Sequence, residues 1–382
     1  MPTYQEIINK KKREWKCSHL MDGASAERGD KLPFSSPFLN YSTYGGIPRN
    51  QITEFFGDPG GGKSTTSVDI CKNAYHIFMK EYEDECQDLR DKIAKGSKAA
   101  EDEFEQLQEQ GPKKVLYIDL EHSFDGKWAR TLGIVPGQVD IMQPPDTPAE
   151  SILQTILELI ESGQVGLVVL DSIPSLITKQ ELDKDLGERT VASLAGLLTV
   201  FCRKVIPLLS RYGCTLLVIN QTRDNMDNPY VINTPGGKAL KFYCSLRILF
   251  KIKCPIDLLG TELPSNAEQP HGYIVVAKLV KQKSAPWDRR NGAYRLMIKS
   301  GIQVDMDYAD LATKRYGIIP KSGNWYTIVD PDTGEVLSAN GRDVKVCGMS
   351  GLIDYFNSNP EYYGRLKKHL VELLERDGIG EE

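Results

Sequence analysis

The sequence predicts an α/β fold: a doubly wound, mostly parallel sheet with helices on both faces. Two observations carry that prediction. Short β-branched runs alternate with longer helical stretches. Runs such as Gly166-Leu-Val-Val-Leu and Thr215-Leu-Leu-Val-Ile are also apolar on both faces, as strands covered from two sides must be. The candidate strands are 51–56, 114–119, 139–142, 166–171, 215–220, 246–253 and 272–280, with helical segments at 64–80, 126–132, 148–162, 190–212 and 237–244. From about Gly301 the texture changes. A helix, a hairpin over 325–337 with a polar turn at 330–334, and a last helix at 360–376 read as a small α+β appendage.

At 382 residues, 40% hydrophobic and 26% charged, the chain can bury one sizeable core plus a satellite, or two ordinary domains. The eight cysteines are scattered with no Cys-x-x-Cys pair, so neither a disulfide framework nor a zinc site is expected. No apolar stretch reads as approaching the roughly 18–20 residues of a membrane span, and the first residues lack a basic-then-apolar profile. The expectation is a cytoplasmic protein with no membrane partner. The net charge of −5, from 47 basic and 52 acidic residues, argues against nucleic acid only if it is spread evenly. It is not. Segment 80–112 holds 11 acidic and 5 basic side chains, and 371–382 holds five acidic and one basic, leaving a body at +5. The 80–112 run reads as a solvated helical insertion.

The phosphate chemistry starts at the first strand. It leads into Gly57-Asp58-Pro59-Gly60-Gly61-Gly62-Lys63-Ser64-Thr65 and a helical stretch, which is Gly-x-x-x-x-Gly-Lys-Ser between strand and helix. Glycines let successive N–H groups converge on phosphate oxygens, and the helix start adds a positive dipole end. Lys63 is then placed for the β- and γ-phosphates and Ser64 for Mg²⁺. Asp171, at the carboxyl end of the 166–171 strand, is the natural second Mg²⁺ acid. Glu121, just past the 114–119 strand, is placed to polarise a water attacking a γ-phosphate. Gln221, at the end of a third strand, can sense that phosphate and opens a long polar loop.

Seven stretches then narrow the family: Tyr117-Ile-Asp-Leu-Glu-His, Ala129-Arg-Thr-Leu-Gly, Gln143-Pro-Pro-Asp-Thr, Val169-Leu-Asp-Ser-Ile-Pro-Ser-Leu, Ile219-Asn-Gln, Pro235-Gly-Gly-Lys-Ala-Leu-Lys-Phe-Tyr and Val280-Lys-Gln-Lys-Ser-Ala-Pro. Through them the sequence closely resembles bacterial RecA recombinases, from about Ile52 to Asp377, interrupted by the 80–112 segment. The resemblance implies a RecA-type ATPase core at 46–300, an amino-terminal oligomerisation arm at 1–45 and a small carboxy-terminal domain with an acidic tail at 301–382. That domain would gate access of duplex DNA. The resemblance makes Glu121 the water-activating residue and Gln221 the switch between γ-phosphate and DNA. Asp125 and Trp128 match positions that bond and stack the adenine. Lys281 and Lys283 match lysines that reach a neighbour's ATP, and Phe242 matches a relay between subunits.

Two segments match DNA-binding loops, one at 181–191 with Arg189 and Val191, the other at 222–235. The second contains Arg223, Asn225, Pro229, Tyr230, Val231 and Ile232; an apolar tip of this kind can wedge between bases and stretch a strand. Gly236 and Gly237 open the next helix, and Thr199, Arg203 and Lys238 match backbone-contacting positions. Basic residues outnumber acidic ones six to two over 221–253 and seven to one over 278–299, a stripe that Trp287, Arg289 and Arg290 extend. Such a stripe suits sequence-independent binding. The implied activity is DNA-stimulated ATP hydrolysis in a filament on single-stranded DNA, with homologous pairing and strand exchange with duplex DNA. Single-strand-binding or mediator proteins are further partners. The alternatives are a RecA-fold accessory protein that binds or loads single strands, and a hexameric helicase. Gly196 stands where family members carry an arginine, and the second loop is about two residues shorter in this sequence than in the family. With the 80–112 insertion, these departures suit a divergent, phage-encoded or accessory form.

Overall fold

The computed structural model describes residues 3–14, 30–185, 193–223 and 233–379. Residues 1–30 and 31–382 are separate compact units. The first holds helix α1 (Tyr4–Glu14), which begins in a reciprocal cap. The Thr3 hydroxyl accepts from the Glu6 amide at 3.3 Å, and the Glu6 carboxylate accepts from the Thr3 amide at 2.8 Å.

The second unit opens with β1 (Lys31–Leu32), α2 (Pro37–Thr43) and β2 (Ile47–Pro48). The α/β body follows as β3 (Ile52–Gly57), α3 (Lys63–Ala94), α4 (Lys98–Gln110), β4 (Lys114–Asp119), α5 (Gly126–Thr131), β5 (Asp140–Met142), α6 (Ala149–Glu161) and β6 (Val165–Asp171). It continues through α7 (Lys179–Leu182), α8 (Ser193–Tyr212), β7 (Thr215–Gln221), α9 (Ala239–Tyr243), β8 (Leu246–Ile256), β9 (Gly272–Gln282), β10 (Asn291–Met297) and β11 (Gly301–Ile302). One nine-stranded sheet runs β11-β10-β9-β8-β3-β7-β6-β4-β5, parallel from β8 to β5 and antiparallel from β8 to β11. α3 and α5 pack on one face, burying Val68, Cys71, Ala74 and Ala129. α6, α8 and α9 cover the other, with Ile156, Phe201, Val205 and Leu240 in its core. The expected doubly wound α/β architecture is therefore the one observed.

Three departures are instructive. α3 does not stop near residue 80 but runs on to Ala94, and α4 folds back after a turn at Gly96, so the charged insertion is a helical hairpin. Its seam is thin, made by Cys86, Leu89 and Ala100 with Arg90 over the Phe104 ring, which is why so many of its positions are charged. β10 is not among the strands expected from the sequence; its buried residues Gly292, Tyr294, Arg295 and Met297 do not alternate, and they lie in a stretch that reads as basic. Finally, α8 is by length and composition apolar enough to cross a membrane, contrary to the sequence expectation that no stretch is. Part of that apolarity is packing: Leu198, Phe201, Cys202, Val205 and Leu209 recur at helical spacing on the face against the sheet.

Beyond the sheet come α10 (Val304–Asp310), β12 (Lys321–Ser322), β13 (Trp325–Thr327), β14 (Ser338–Ala339), β15 (Arg342–Asp343), β16 (Lys345–Cys347), α11 (Gly348–Ser358) and α12 (Pro360–Ile379). They enclose a core of their own around Leu311, Ile328, Leu352, Leu366 and Leu370, with Phe356 and Tyr363 stacked at 4.6 Å. The anticipated 325–337 hairpin is only partly formed: β13 pairs with β16, and one bridge joins Val329 to Val336.

α10 also carries a titration. Asp307 is fully buried, accepts from Ser36 at the start of α2, and is pushed up to about 8, by burial first and by Asp310 less strongly. Between the usual carboxylate range and about 8 the folded chain holds a proton that the unfolded chain has released, so stability falls as pH rises through that window. Asp307→Asn is expected to flatten the fall. Thermal melts from pH 5 to 8 check this: the variant gains on the wild type by several degrees towards pH 8.

Candidate nucleotide site and the loops beside it

β3 ends in the glycine loop, and the loop's backbone demands its glycines. Gly57 has φ +150°, and a Cβ there would lie 2.2 Å from the Phe250 carbonyl oxygen on β8. Pro59 and Gly60 are exposed, Gly61 is buried, and Gly62 precedes α3 in the left-handed region. Lys63, the first residue of α3, is buried, and its Nζ donates to the carbonyls of Gly57 at 3.0 Å and Asp58 at 2.7 Å. Burial lowers its pKa, against the opposing pull of Asp171, Glu121 and Asp58. The ammonium is thus folded over the loop that the sequence marks for phosphate.

Ser64 and Asp171 come from opposite ends of the motif set, 107 residues apart, yet the Ser64 hydroxyl donates to Asp171 Oδ2 at 2.9 Å. Tyr117, from β4, donates to the same oxygen. Burial raises the Asp171 pKa, and the bonds from Tyr117 and Ser64 oppose it. Nearby, Asp119 Oδ2 accepts from the Phe124 amide and from Gln143, whereas its buried Oδ1 has no hydrogen-bond partner among the described residues. A hydroxyl and a carboxylate converging beside a glycine cradle form a donor set that fits a phosphate-bound Mg²⁺. Thr65 accepts from the Trp128 indole at 3.2 Å, which fixes that half-buried ring beside the start of α3. Asp125 caps α5, accepting from the Lys127 amide at 2.7 Å.

Three elements meet at Glu121. Its Oε1 accepts from Ser172 at the end of β6 and, at 3.2 Å, from the side-chain amide of Gln221 at the end of β7. The next residue, Thr222, donates to Asp58 in the glycine loop. The stem of the 222–235 loop is therefore hydrogen-bonded both to Glu121 and to the glycine loop.

Comparison of the sequence with known proteins finds a family. The family model for the RecA N-terminal domain matches residues 99–303, just over half of the chain. Protein RecA of Bacteroides thetaiotaomicron is 30% identical over 362 residues, covering 93% of this chain and 91% of the relative. The RecA proteins of Thermus aquaticus (27% identical, 91% of this chain and 86% of the relative) and Nostoc punctiforme (26%, 98% and 89%) are similar along comparable lengths. The chain belongs to the RecA family. The family model starts inside the charged hairpin, beyond the glycine loop, but the first of these alignments is too long to leave residues 57–65 out.

In this RecA-family chain, Lys281 and Lys283 lie at and just beyond the end of β9. Lys281 Nζ donates to the carbonyls of Lys241 at 2.6 Å and Phe242 at 2.7 Å, and Lys283 Nζ to Phe242 at 3.2 Å. The Phe242 side chain is 69% exposed. α9 is shorter than expected and begins at Ala239, so Gly236 and Gly237 form a turn before it instead of opening it. A Cβ on Gly236 would sit 2.7 Å from Leu198, and one on Gly237 2.8 Å from Ala195, so both glycines let the loop exit approach α8. Lys238 is exposed at that turn, and Thr199 and Arg203 are exposed on α8. Arg223 is the last described residue of the loop's first stem, its amide bonded to the Asn233 carbonyl at 2.8 Å. Asn225, Tyr230, Val231 and Ile232 lie outside the described residues, as do Arg189 and Val191. Arg290 sits 5.3 Å over the Trp287 ring, and Arg289 lies between the rings of Tyr41 and Tyr44.

Sequence reasoning assigned no role to Ser172, Tyr117, Glu54 or Arg247. Tyr117 and Ser172 lie inside stretches that carry the family resemblance, and Glu54 and Arg247 are opposite charges in strand patterns whose pairing only the strand order reveals.

Proposed function

We propose that this RecA-family chain is a recombinase that polymerises on single-stranded DNA, hydrolyses ATP when so assembled, and pairs and exchanges strands with homologous duplex DNA. The observation that carries the reading is the Gln221 side chain. It ends β7, opens the 222–235 loop and bonds to Glu121 at 3.2 Å, so the residue assigned to water activation and the loop assigned to DNA share one hydrogen bond. A passive single-strand binder has no use for that link. The smaller residues 301–382, read as a gating domain, and the arm at 1–45, read as a subunit connector, fit a filament better than a closed helicase ring.

Bound ATP with Mg²⁺ supplies the phosphoryl electrophile and neutralises its charge. The chain's own contributions are separable. The amides of 57–65 cradle the phosphates, Lys63 neutralises them, and Ser64 with Asp171 holds the cation. Glu121 Oε1 takes the proton of the attacking water, and Gln221 reports the γ-phosphate to the loop. Trp128 and Asp125 receive the adenine. Lys281 and Lys283 act on a neighbour's nucleotide, with Phe242 beside them at the subunit boundary. On the DNA side, Thr199, Arg203, Arg223, Gly236, Gly237 and Lys238 line the strand's path together with the loop tip at 225–232.

Joint-molecule formation with ATP tests the reading. Wild-type protein should form D-loops, and Lys63→Arg should form none while still binding single strands. Wild-type protein that coats single strands normally but yields no joint molecules would make this an accessory binder.

A further inference from the structure

Asn220, Gln221 and Thr222 are consecutive, and each donates from its side chain to a carboxylate on a different part of the nucleotide site: Glu54, Glu121 and Asp58. Two of these contacts are exposed, but the first is not. Glu54 lies in the middle of β3 with no solvent exposure, where an ionised carboxylate is costly unless it is fully partnered. The sheet register supplies the partners. Arg247 on β8 stands directly across from Glu54 and bonds Oε2 through Nε, its guanidinium resting 4.6 Å over the Phe56 ring. On the other side Glu54 pairs with Val218 on β7, so Asn220, two residues further on, shares its sheet face.

The Asn220 amide is fully used. Nδ2 donates to Glu54 Oε1 at 2.9 Å and to the Pro235 carbonyl at 3.1 Å, and Oδ1 accepts from the Gln221 amide at 2.9 Å. Gln221 opens the loop and Pro235 closes it, so one buried amide ties together the loop's two stems. A carboxylate can only accept, so Glu54 dictates which end of that amide carries the donors. Arg247 in turn holds Glu54, and its cross-strand neighbour is Lys281.

We propose that Glu54 and Asn220 are positioning residues for coupling. They form a fixed pivot that holds the stems of the 222–235 loop together, so that a change of partner at Gln221 is passed to both stems at once. This rests on the reading of Gln221 and its loop as the link between nucleotide and DNA. A trio that merely stabilises the sheet would have no need of the bond to Pro235, and that bond separates the two roles.

The test is the exchange Glu54→Gln with Asn220→Asp. The single negative charge moves from position 54 to position 220. The new amide at position 54 donates to the new carboxylate at position 220 and accepts from Arg247, and that carboxylate still accepts from the Gln221 amide. Arg247 keeps an acceptor but exchanges its direct anion for a neutral one, and the donor to Pro235 is replaced by a carboxylate oxygen that repels the Pro235 carbonyl, so the tie between the stems is broken. The double variant is expected to melt below the wild type but to stay folded at the assay temperature, with ATP affinity and DNA-independent hydrolysis within about twofold, while DNA stimulation of hydrolysis falls about tenfold or more. Asn220→Ser, whose single hydroxyl donor cannot serve Glu54 and Pro235 at once, asks the same question without moving the charge. Full DNA stimulation in either folded variant overturns the proposal. A wild-type ATPase that DNA does not stimulate at all overturns the loop reading itself, and the pivot with it.

Discussion

Glu121→Gln is expected to slow DNA-stimulated ATP turnover about 10²- to 10⁴-fold, the range for removing a positioned general base, while leaving ATP affinity near wild type. The geometry isolates the effect. Glu121 is exposed and touches Ser172 and Gln221 through one oxygen, so a glutamine can keep an acceptor for both and loses only basicity. Ser64 and Asp171, the pair proposed to hold magnesium, bond to each other with Tyr117 on the same Asp171 oxygen and stay intact. Because the Gln221 amide keeps an acceptor, the switch into the loop also survives. The variant should therefore bind single-stranded DNA in an ATP-dependent way and fail to let go. Steady-state turnover together with dissociation from a labelled oligonucleotide measures both. Turnover within threefold of wild type would remove Glu121 from the water-activating role.

The contrast between Glu121 and Glu54 shows which chemistry a sequence can disclose. Contiguous chemistry was legible: 57–65 carries its glycines, lysine and hydroxyl in one strand-to-helix junction, and Asp171 ends an unmistakable apolar run. The parallel sheet was legible for the same reason, since a strand apolar on both faces has to be covered on both. Contacts made across the sheet were not. Glu54 and Asn220 are 166 residues apart, and only the strand order β8-β3-β7 brings Arg247, Glu54 and Asn220 into one row. A lone glutamate in Ile52-Thr-Glu-Phe-Phe looks like an exposed strand position until both flanking strands are known. The helical hairpin failed differently. Helix and charge were plain, but α3 passes from core to solvent without any local break, because its buried stripe fades after Phe78 while its helix propensity does not.

Lys281→Ala is expected to be as severe and to reveal assembly. Lys281 is an unusual cation. Its direct partners are carbonyls at the end of α9, it pairs with no carboxylate among the described residues, and burial together with Lys283 and Arg247 lowers its pKa. Three cations, Arg247, Lys281 and Lys283, thus lie close together, and among the described residues only Arg247 has an anion. An anion brought by a neighbouring subunit would relieve that repulsion, which makes an adjoining triphosphate a favourable occupant. If the lysine acts there in trans, its loss removes charge stabilisation of the kind that is worth about 10³- to 10⁵-fold in phosphoryl transfer. DNA-stimulated hydrolysis should collapse while the isolated chain still binds ATP. Mixing makes the assignment decisive. Lys63→Arg subunits cannot hydrolyse their own ATP but still present Lys281 to a neighbour, and Lys281→Ala subunits have the opposite defect. Equal mixtures on one DNA strand should recover about a quarter of wild-type turnover, because a head-to-tail interface is intact only when the two variants meet in the right order. No recovery in mixtures that form normal filaments would place Lys281 in its own subunit's site, and hydrolysis would then not require the neighbour.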